Sequence, residues 1–374
     1  PNGPGFWAVT RHEDVRTVGR DPERFSSVPT IMLDDPDPGE SMTGDHVMML
    51  TADPPVHTRM RRLLSREFTP RQATALRPRV AELATAIVDG VIERGSCDLV
   101  TDLAGEMPSF VIAEILGIPL EDGRALYHHT EAIHSSEEVV SSDERRAAVG
   151  HMFTYSQQVY QAKREAADRG QGADDLATML ATGEIAGEPI DEVDFFLWFL
   201  LLVDAGGDTT RNLVGGGFQA LFEHPDALTR LQQVHAAGQP LGPAIEELLR
   251  WVSPVIYMRR TATVDTELAG TPIAAGDKVV MYYGSANRDP AAFDRPDRLD
   301  LTRTPNPHVA FGGGGPHFCL GAHLARVEIE ALVAEMLTRL DGLEPAGEAT
   351  WMGSNFIFGP TSLPVRFAPG PTAG

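Results

Sequence analysis

Cysteine is nearly absent from this chain, with only Cys97 and Cys319 in 374 residues. Two cysteines exclude the disulfide framework of a small secreted domain and suit a reducing, cytoplasmic setting. Positive charge is scarce as well: 31 Lys and Arg stand against 53 Asp and Glu, for a net charge of −22. Such an acidic chain repels nucleic acid and anionic membrane, so any local cluster of arginines stands out. Long apolar runs are missing too. The longest, Phe195 to Val203, is about half of the roughly 20 residues a membrane helix needs, so it reads as a buried core helix without membrane insertion. No internal repeat, low-complexity tract or signal peptide is visible. The chain opens on Pro1 rather than Met, which reads as a truncated N-terminus.

The hydrophobic content, 42%, is enough for a large buried core. Helical periodicity runs over residues 56–94, 103–117, 121–134, 143–169, 174–182, 191–223, 244–252 and 322–340. Residues 1–50 are mixed, with a loop by composition at 34–46. Pro254 directs Ser253 out of the helical region. Residues 255–284 then alternate, with Gly at turn positions, and read as β hairpins. Residues 285–310 form a coil rich in Pro and Asp, and 354–367 read as a last small hairpin. The sum is a mainly α chain with a minor β region, one domain over 1–374. No βαβ alternation supports a doubly wound dinucleotide fold.

The stretch FGGGGPHFCLG, residues 311–321, is the most unusual in the chain. A phosphate loop would be followed by G-K-S/T or carry a G-x-G-x-x-G register, and neither fits. A helix begins just after Cys319, and the positive end of a helix lowers a thiol pKa and favours the thiolate. A thiolate held there suits a metal, but a lone cysteine does not make a zinc site. The alternative is a buried structural cysteine in a tight turn.

This stretch resembles the haem-binding loop of the cytochrome P450 family: Phe, small residues, a basic residue, any residue, Cys, any residue, Gly. The resemblance makes Cys319 the axial thiolate of the iron and His317 a partner of a haem propionate, with Phe311 as the loop's aromatic. Phe311 lies eight residues before Cys319, one more than the family's usual spacing. Glycines in this loop are expected to bring backbone close to sulfur and porphyrin.

Three further stretches match in order and distance. Glu247 and Arg250 in EELLR are either a surface i,i+3 pair or, by resemblance, the family's buried Glu-x-x-Arg, completed by a third arginine expected at Arg298. AGGDTT, residues 205–210, puts paired glycines and an acid into an apolar helix, where they are locally unfavourable. It is either a bent core helix or the family's oxygen-activation segment. There Gly206 and Gly207 let the helix open beside the iron, Thr209 hydrogen-bonds bound dioxygen or water, and Asp208 relays protons. His57 and Arg61 share one helix face at i,i+4, an ordinary amphipathic helix or, with Arg260, the family's propionate-binding cations. Arg59, Arg62 and Arg66 make a basic patch expected to dock an acidic ferredoxin.

The resemblance covers nearly the whole chain. It implies a single P450 fold domain, haem b as cofactor, dioxygen as co-substrate, and electrons from NAD(P)H through ferredoxin reductase and ferredoxin. The activity implied is hydroxylation or epoxidation. Several motifs are similar to an actinobacterial branch that hydroxylates terminal methyl groups of sterols and methyl-branched lipids; a polyketide, macrolide or terpenoid substrate is the alternative. Residues expected at the substrate are Ala205, Gly206, Val255, Ile256, Ile357 and Phe358, with the loop 34–50 and the segment 130–190. They are mostly apolar, which favours a hydrophobic substrate. A peroxygenase or a non-catalytic haem sensor are the competing classes; neither needs the Asp208–Thr209 pair. Cys97 and the loosely spaced His128, His129, His134 and His151 carry no functional expectation.

Overall fold

The helices follow in chain order as α1 (His12–Arg20), α2 (Val56–Leu64), α3 (Pro70–Ile92), α4 (Glu106–Leu116), α5 (Leu120–His134), α6 (Ser142–Asp168), α7 (Leu176–Ala181), α8 (Glu192–Glu223), α9 (Pro225–Ala236), α10 (Gly242–Val252), α11 (Tyr283–Ala286) and α12 (Ala322–Arg339). They are seen in a computed structural model that describes residues 5–36, 46–134, 140–185 and 187–373. Most of the acidic loop expected at 34–46 lies outside the described residues. Among the described residues no single helix is long and apolar enough to cross a membrane.

The periodic run 56–94 is two helices rather than one. Thr69 accepts a hydrogen bond from the Gln72 N–H and Pro70 occupies the first turn, a start signal inside an otherwise continuous pattern. Residues 5–36 are more ordered than their composition suggests. They supply α1 and two strands of a four-stranded sheet. In that sheet Tyr257–Ala262 pairs antiparallel with Lys278–Tyr282; Trp7–Val9 runs parallel to the latter, and Phe25–Ser26 antiparallel to the former. Ser253 leaves α10 in the left-handed region, φ 48° and ψ 68°, rather than the extended one a following proline favours. Its hydroxyl donates to the Arg250 carbonyl and accepts from Asn287, which holds that geometry.

The tail is not a local hairpin. Pro360–Ser362 pairs with Thr350–Trp351, whereas Pro364–Arg366 pairs with Ser96–Asp98 on one side and Glu344–Pro345 on the other. Two prolines in this short stretch each remove a ladder donor, yet Pro364–Arg366 is the central strand of its three-stranded sheet.

The 32 residues of α8 run through the core, with Asp191 capping the Val193 and Asp194 N–H groups. Phe195, Trp198, Phe199 and Phe218 bury its two ends. It packs against α4, α5, α6, α10 and α12, and α12 lies along α3. This arrangement faces the middle of α8 toward the loop that precedes α12.

Candidate active site: a thiol and a helix across one cavity

One cavity brings together residues that are far apart in the chain. Phe311, His317 and Cys319 line it from the loop before α12; His57 and Arg61 line it from α2, and Arg260 from the sheet. Leu201, Leu202, Ala205, Gly206, Thr209 and Leu213 line it from α8. Most of the remaining wall is apolar, including Ile31, Met49, Pro108, Val111, Ile112 and Phe356.

The loop closes on itself: the Cys319 N–H donates to the Phe311 carbonyl at 3.0 Å, and the Phe318 N–H to the Gly315 carbonyl at 3.2 Å. Its glycines do more than approach the sulfur. A Cβ on Gly313 would sit 2.6 Å from the Val15 carbonyl oxygen, and one on Gly315, with φ +77°, 2.2 Å from that of Gly19. The run is therefore where α1 docks, backbone against backbone, and the longer loop is seated on that helix. Phe311 also lies under the Arg326 guanidinium, 4.5 Å from its ring centre.

The thiol corrects one expectation. The Gly321 N–H, Arg61 and Arg326 all favour a thiolate at Cys319, but burial outweighs them and the pKa is raised rather than lowered. The cost of desolvating the thiolate exceeds what the helix N-terminus and the two arginines return. Cys319 is partly accessible because it lines the cavity, and a bound cation is needed to deprotonate it.

The basic side chains around the thiol are desolvated as well. Burial, then the charges of Arg61 and Arg260, push His57 down to about 4. His317 is pushed to about 3 by burial and then Arg260. The two imidazoles lie with centres 4.1 Å apart and planes tilted by 44° and are neutral at pH 7. His317 Nε2 meets the Ser27 hydroxyl at 3.0 Å. Burial lowers the pKa of Arg61 and Arg260 as well, and the buried Nδ1 of His57 has no hydrogen-bond partner among the described residues.

On the opposite wall α8 stays helical through residues 205–209, with no opening at Gly206 and Gly207. The Thr209 hydroxyl donates to the Ala205 carbonyl at 2.9 Å while lining the cavity. Asp208 does not line it. That side chain is fully buried and ion-paired with the Arg211 Nη2 at 3.3 Å, and Arg211 in turn binds Glu131 of α5. Burial works to discharge Arg211, but Asp208, Tyr127 and Glu131 outweigh it and hold it charged.

The chain matches the family model described as Cytochrome P450 over residues 241–358. It is 37% identical to the methyl-branched lipid omega-hydroxylase of Mycobacterium tuberculosis, over 98% of this chain and 85% of that protein. It is 35% identical to the steroid C26-monooxygenase of Rhodococcus jostii, over 97% and 76%. The chain belongs to the cytochrome P450 family. A Mycobacterium marinum cytochrome P450 solved with pseudoionone superposes with a TM-score of 0.88 at 38% identity, covering 98% of this chain and 88% of that one. The mainly α P450 fold expected from the motifs is therefore the fold observed, and the chain is a P450 monooxygenase that uses haem and dioxygen.

The residues present fit haem. Desolvated cations and an orphaned imidazole nitrogen suit a group with carboxylates, and a cavity-lining sulfur facing an apolar wall suits the iron of a flat macrocycle.

Two expectations about the surroundings need correcting. The third arginine of the P450 ion network is Arg303, whose Nε donates to Glu247 Oε2 at 3.0 Å. Arg298 is exposed and contributes only its carbonyl, which accepts from Arg250 and Arg303. Arg250 itself grips Glu247 with two hydrogen bonds of 2.8 Å. Of the substrate-pocket residues, Ala205, Gly206, Val255 and Ile357 line the cavity, whereas Ile256 and Phe358 do not. Val255 and Ile357 pair across a β bridge, so their chain neighbours face the opposite side. There Phe358 is exposed and stacks on Trp351.

Glu328 was missed by sequence reading. It is buried, lines the cavity from α12 and hydrogen-bonds Thr210; burial pushes it up to about 8. Its signal was an acid on the stripe Leu324, Glu328, Leu332, where a helix facing the core should be apolar.

Proposed function

We propose that this P450 hydroxylates an unactivated C–H bond of a hydrophobic small molecule, as in terminal-methyl hydroxylation of a sterol or methyl-branched lipid. The observation that carries this is the single cavity with Cys319 on one wall and Thr209 on the other, in a largely apolar lining. The relatives named for branched-lipid and steroid oxidation support that substrate class. Electrons would come from NAD(P)H through ferredoxin reductase and ferredoxin. Arg59, Arg62 and Arg66 are exposed on the segment whose inner side carries His57 and Arg61, and they offer an acidic carrier a basic face close to the thiol.

Haem, held by Cys319 and by His57, Arg61, Arg260 and His317, would supply the binding and activation of dioxygen. Thiolate ligation favouring O–O cleavage is a general property of haem-thiolate enzymes rather than a result of this chain. The protein contributes the rest. The apolar wall excludes water and holds substrate beside α8. The Thr209 hydroxyl donates to the Ala205 carbonyl one turn back, so it presents an acceptor to the cavity and offers a donor once it rotates away from that carbonyl. Glu328, protonated at neutral pH, holds a proton at its carboxyl within the cavity wall. Asp208 has a positioning role in the observed geometry, tying α8 to α5 through Arg211 and Glu131, so a proton route through it requires that ion pair to rearrange.

The direct test is the reduced, carbon monoxide-bound spectrum. A strongly red-shifted Soret band is expected for the wild type and not for Cys319→Ala; a red-shifted band that survives in Cys319→Ala would falsify the assignment. With ferredoxin and NAD(P)H, Thr209→Ala should keep consuming reducing equivalents while forming less product, and unchanged coupling removes Thr209 from proton delivery. Turnover with hydrogen peroxide but none with ferredoxin and NAD(P)H would make the protein a peroxygenase instead.

A further inference from the structure

Glu246 and Glu247 are adjacent on α10 and serve different neighbours. Glu247 holds the coil, whereas Glu246 reaches α12 and the surroundings of the haem loop. Its carboxylate accepts from Arg326 through both oxygens, Oε1 from Nε and Oε2 from Nη2, the latter at 2.8 Å. Oε2 also accepts from His308 Nε2 at 2.8 Å. The Ala310 N–H donates to His308 Nδ1 at 3.3 Å, so Nε2 carries the proton and the imidazole adds no charge of its own. Burial works against the charge on Glu246, but Arg326 and then His308 outweigh it and hold its pKa at about 2.

The third nitrogen of Arg326, Nη1, donates to the Ala322 carbonyl at 2.8 Å, and the guanidinium lies 4.5 Å from the centre of the Phe311 ring. The Phe311 carbonyl in turn accepts the Cys319 N–H. Every nitrogen of the guanidinium is therefore engaged, and its charge is fixed beside the loop that carries the thiol. It is one of the two arginines whose charge favours a thiolate at Cys319. Neither Glu246 nor Arg326 lines the cavity, so contact with substrate does not account for them. Charge at this place bears on electron transfer. A single electron accepted from a carrier adds negative charge at the iron and its sulfur, and a nearby cation favours that reduced state. A carboxylate paired with the cation opposes it.

We propose that Glu246 is a positioning residue that, through Arg326, sets the reduction potential of the haem held by Cys319. It fixes the guanidinium over Phe311 and offsets part of its charge. The inference rests on the haem-thiolate reading and adds to it a control on acceptance of the electron.

The test is a redox titration of haem-loaded wild type and variants with dithionite, followed by the haem spectrum, with the carbon monoxide spectrum recorded for each. Glu246→Gln keeps the shape and removes the negative charge, so the midpoint potential should shift upward. Arg326→Gln should shift it downward, and Arg326→Lys, which keeps the charge, should stay closer to the wild type. In the double variant, Glu246→Gln with Arg326→Gln, the two shifts should largely cancel. Shifts of the same sign in the two single Gln variants, or a wild-type potential in both, overturn the proposal. So does loss of the red-shifted carbon monoxide band in Glu246→Gln, because the carboxylate would then hold the structure of the loop rather than its electrostatics. A wild type without that band rejects the haem-thiolate reading itself.

Discussion

Two buried ion clusters, on neighbouring helices, solve the same electrostatic problem differently. On α10, Glu247 and Arg250 are fully buried and hydrogen-bonded on every side: Arg250 makes its two-pronged contact with Glu247, and Arg303, Asn306 and the Asp300 N–H complete the carboxylate. On α8, Asp208 and Arg211 are equally buried, but their contact is a single 3.3 Å approach, and Arg211 shares its charge with Glu131. A network with every lone pair and proton satisfied is rigid. A pair in which the cation has a second carboxylate keeps that cation compensated when it shifts. The rigid cluster ties α10 to the coil that leads to the haem loop; the adaptable one sits directly behind Thr209.

The largest effect should come from breaking the rigid cluster. Glu247→Gln leaves two buried guanidiniums uncompensated and should cost about 3–5 kcal/mol, read as a lowered urea midpoint and poor recovery of haem-loaded protein. If it is tolerated, the cluster is not what holds the coil. Next, Arg303→Ala should lose about 1.5–3 kcal/mol, as for a hydrogen bond to a charged group, whereas exposed Arg298→Ala should stay within about 0.5 kcal/mol. Equal losses would return the third-arginine role to Arg298.

Asp208→Asn tests the other side of the comparison. Glu131 still compensates Arg211, so about 1–2 kcal/mol is expected in equilibrium unfolding, clearly less than for Glu247→Gln. A loss as large as that of Glu247→Gln would show both clusters to be rigid. The most conditional effect, one that depends on pH, concerns Glu328. Its folded pKa, about 8, lies above the usual carboxyl range, so the folded state keeps a proton that the unfolded chain releases. Wild-type stability should therefore fall as pH rises from about 4.5 through 8, by a few kcal/mol in all. Glu328→Gln lacks this slope, and unfolding at a series of pH values should show its advantage growing up to about pH 8. Parallel curves would mean that the carboxyl is ionised within the fold.

Legibility in the sequence followed chain distance. FGGGGPHFCLG, Glu247 with Arg250, and AGGDTT each put their chemistry within a few consecutive residues, so backbone geometry alone determines what they present. Helix periods and the β region were readable for the same reason. Arg303 and Arg298 are both arginines in one coil, and only the path of that coil decides which guanidinium reaches Glu247. Ile256 and Phe358 were grouped with their neighbours because strand alternation gives two faces, while packing decides which of them meets the cavity. The two halves of the tail were misread as a hairpin because each pairs outside the stretch, one with Thr350–Trp351 and the other with Glu344–Pro345 and the distant Ser96–Asp98.

The sequence by itself determined the family, the thiol and the helix that faces it, since local spacing is preserved when the chain folds. Only the tertiary structure decided the electrostatics: that burial raises the Cys319 thiol against its helix terminus, neutralises His57 and His317, and keeps Glu328 protonated. Desolvation depends on everything packed around a group, and those neighbours come from all parts of the chain.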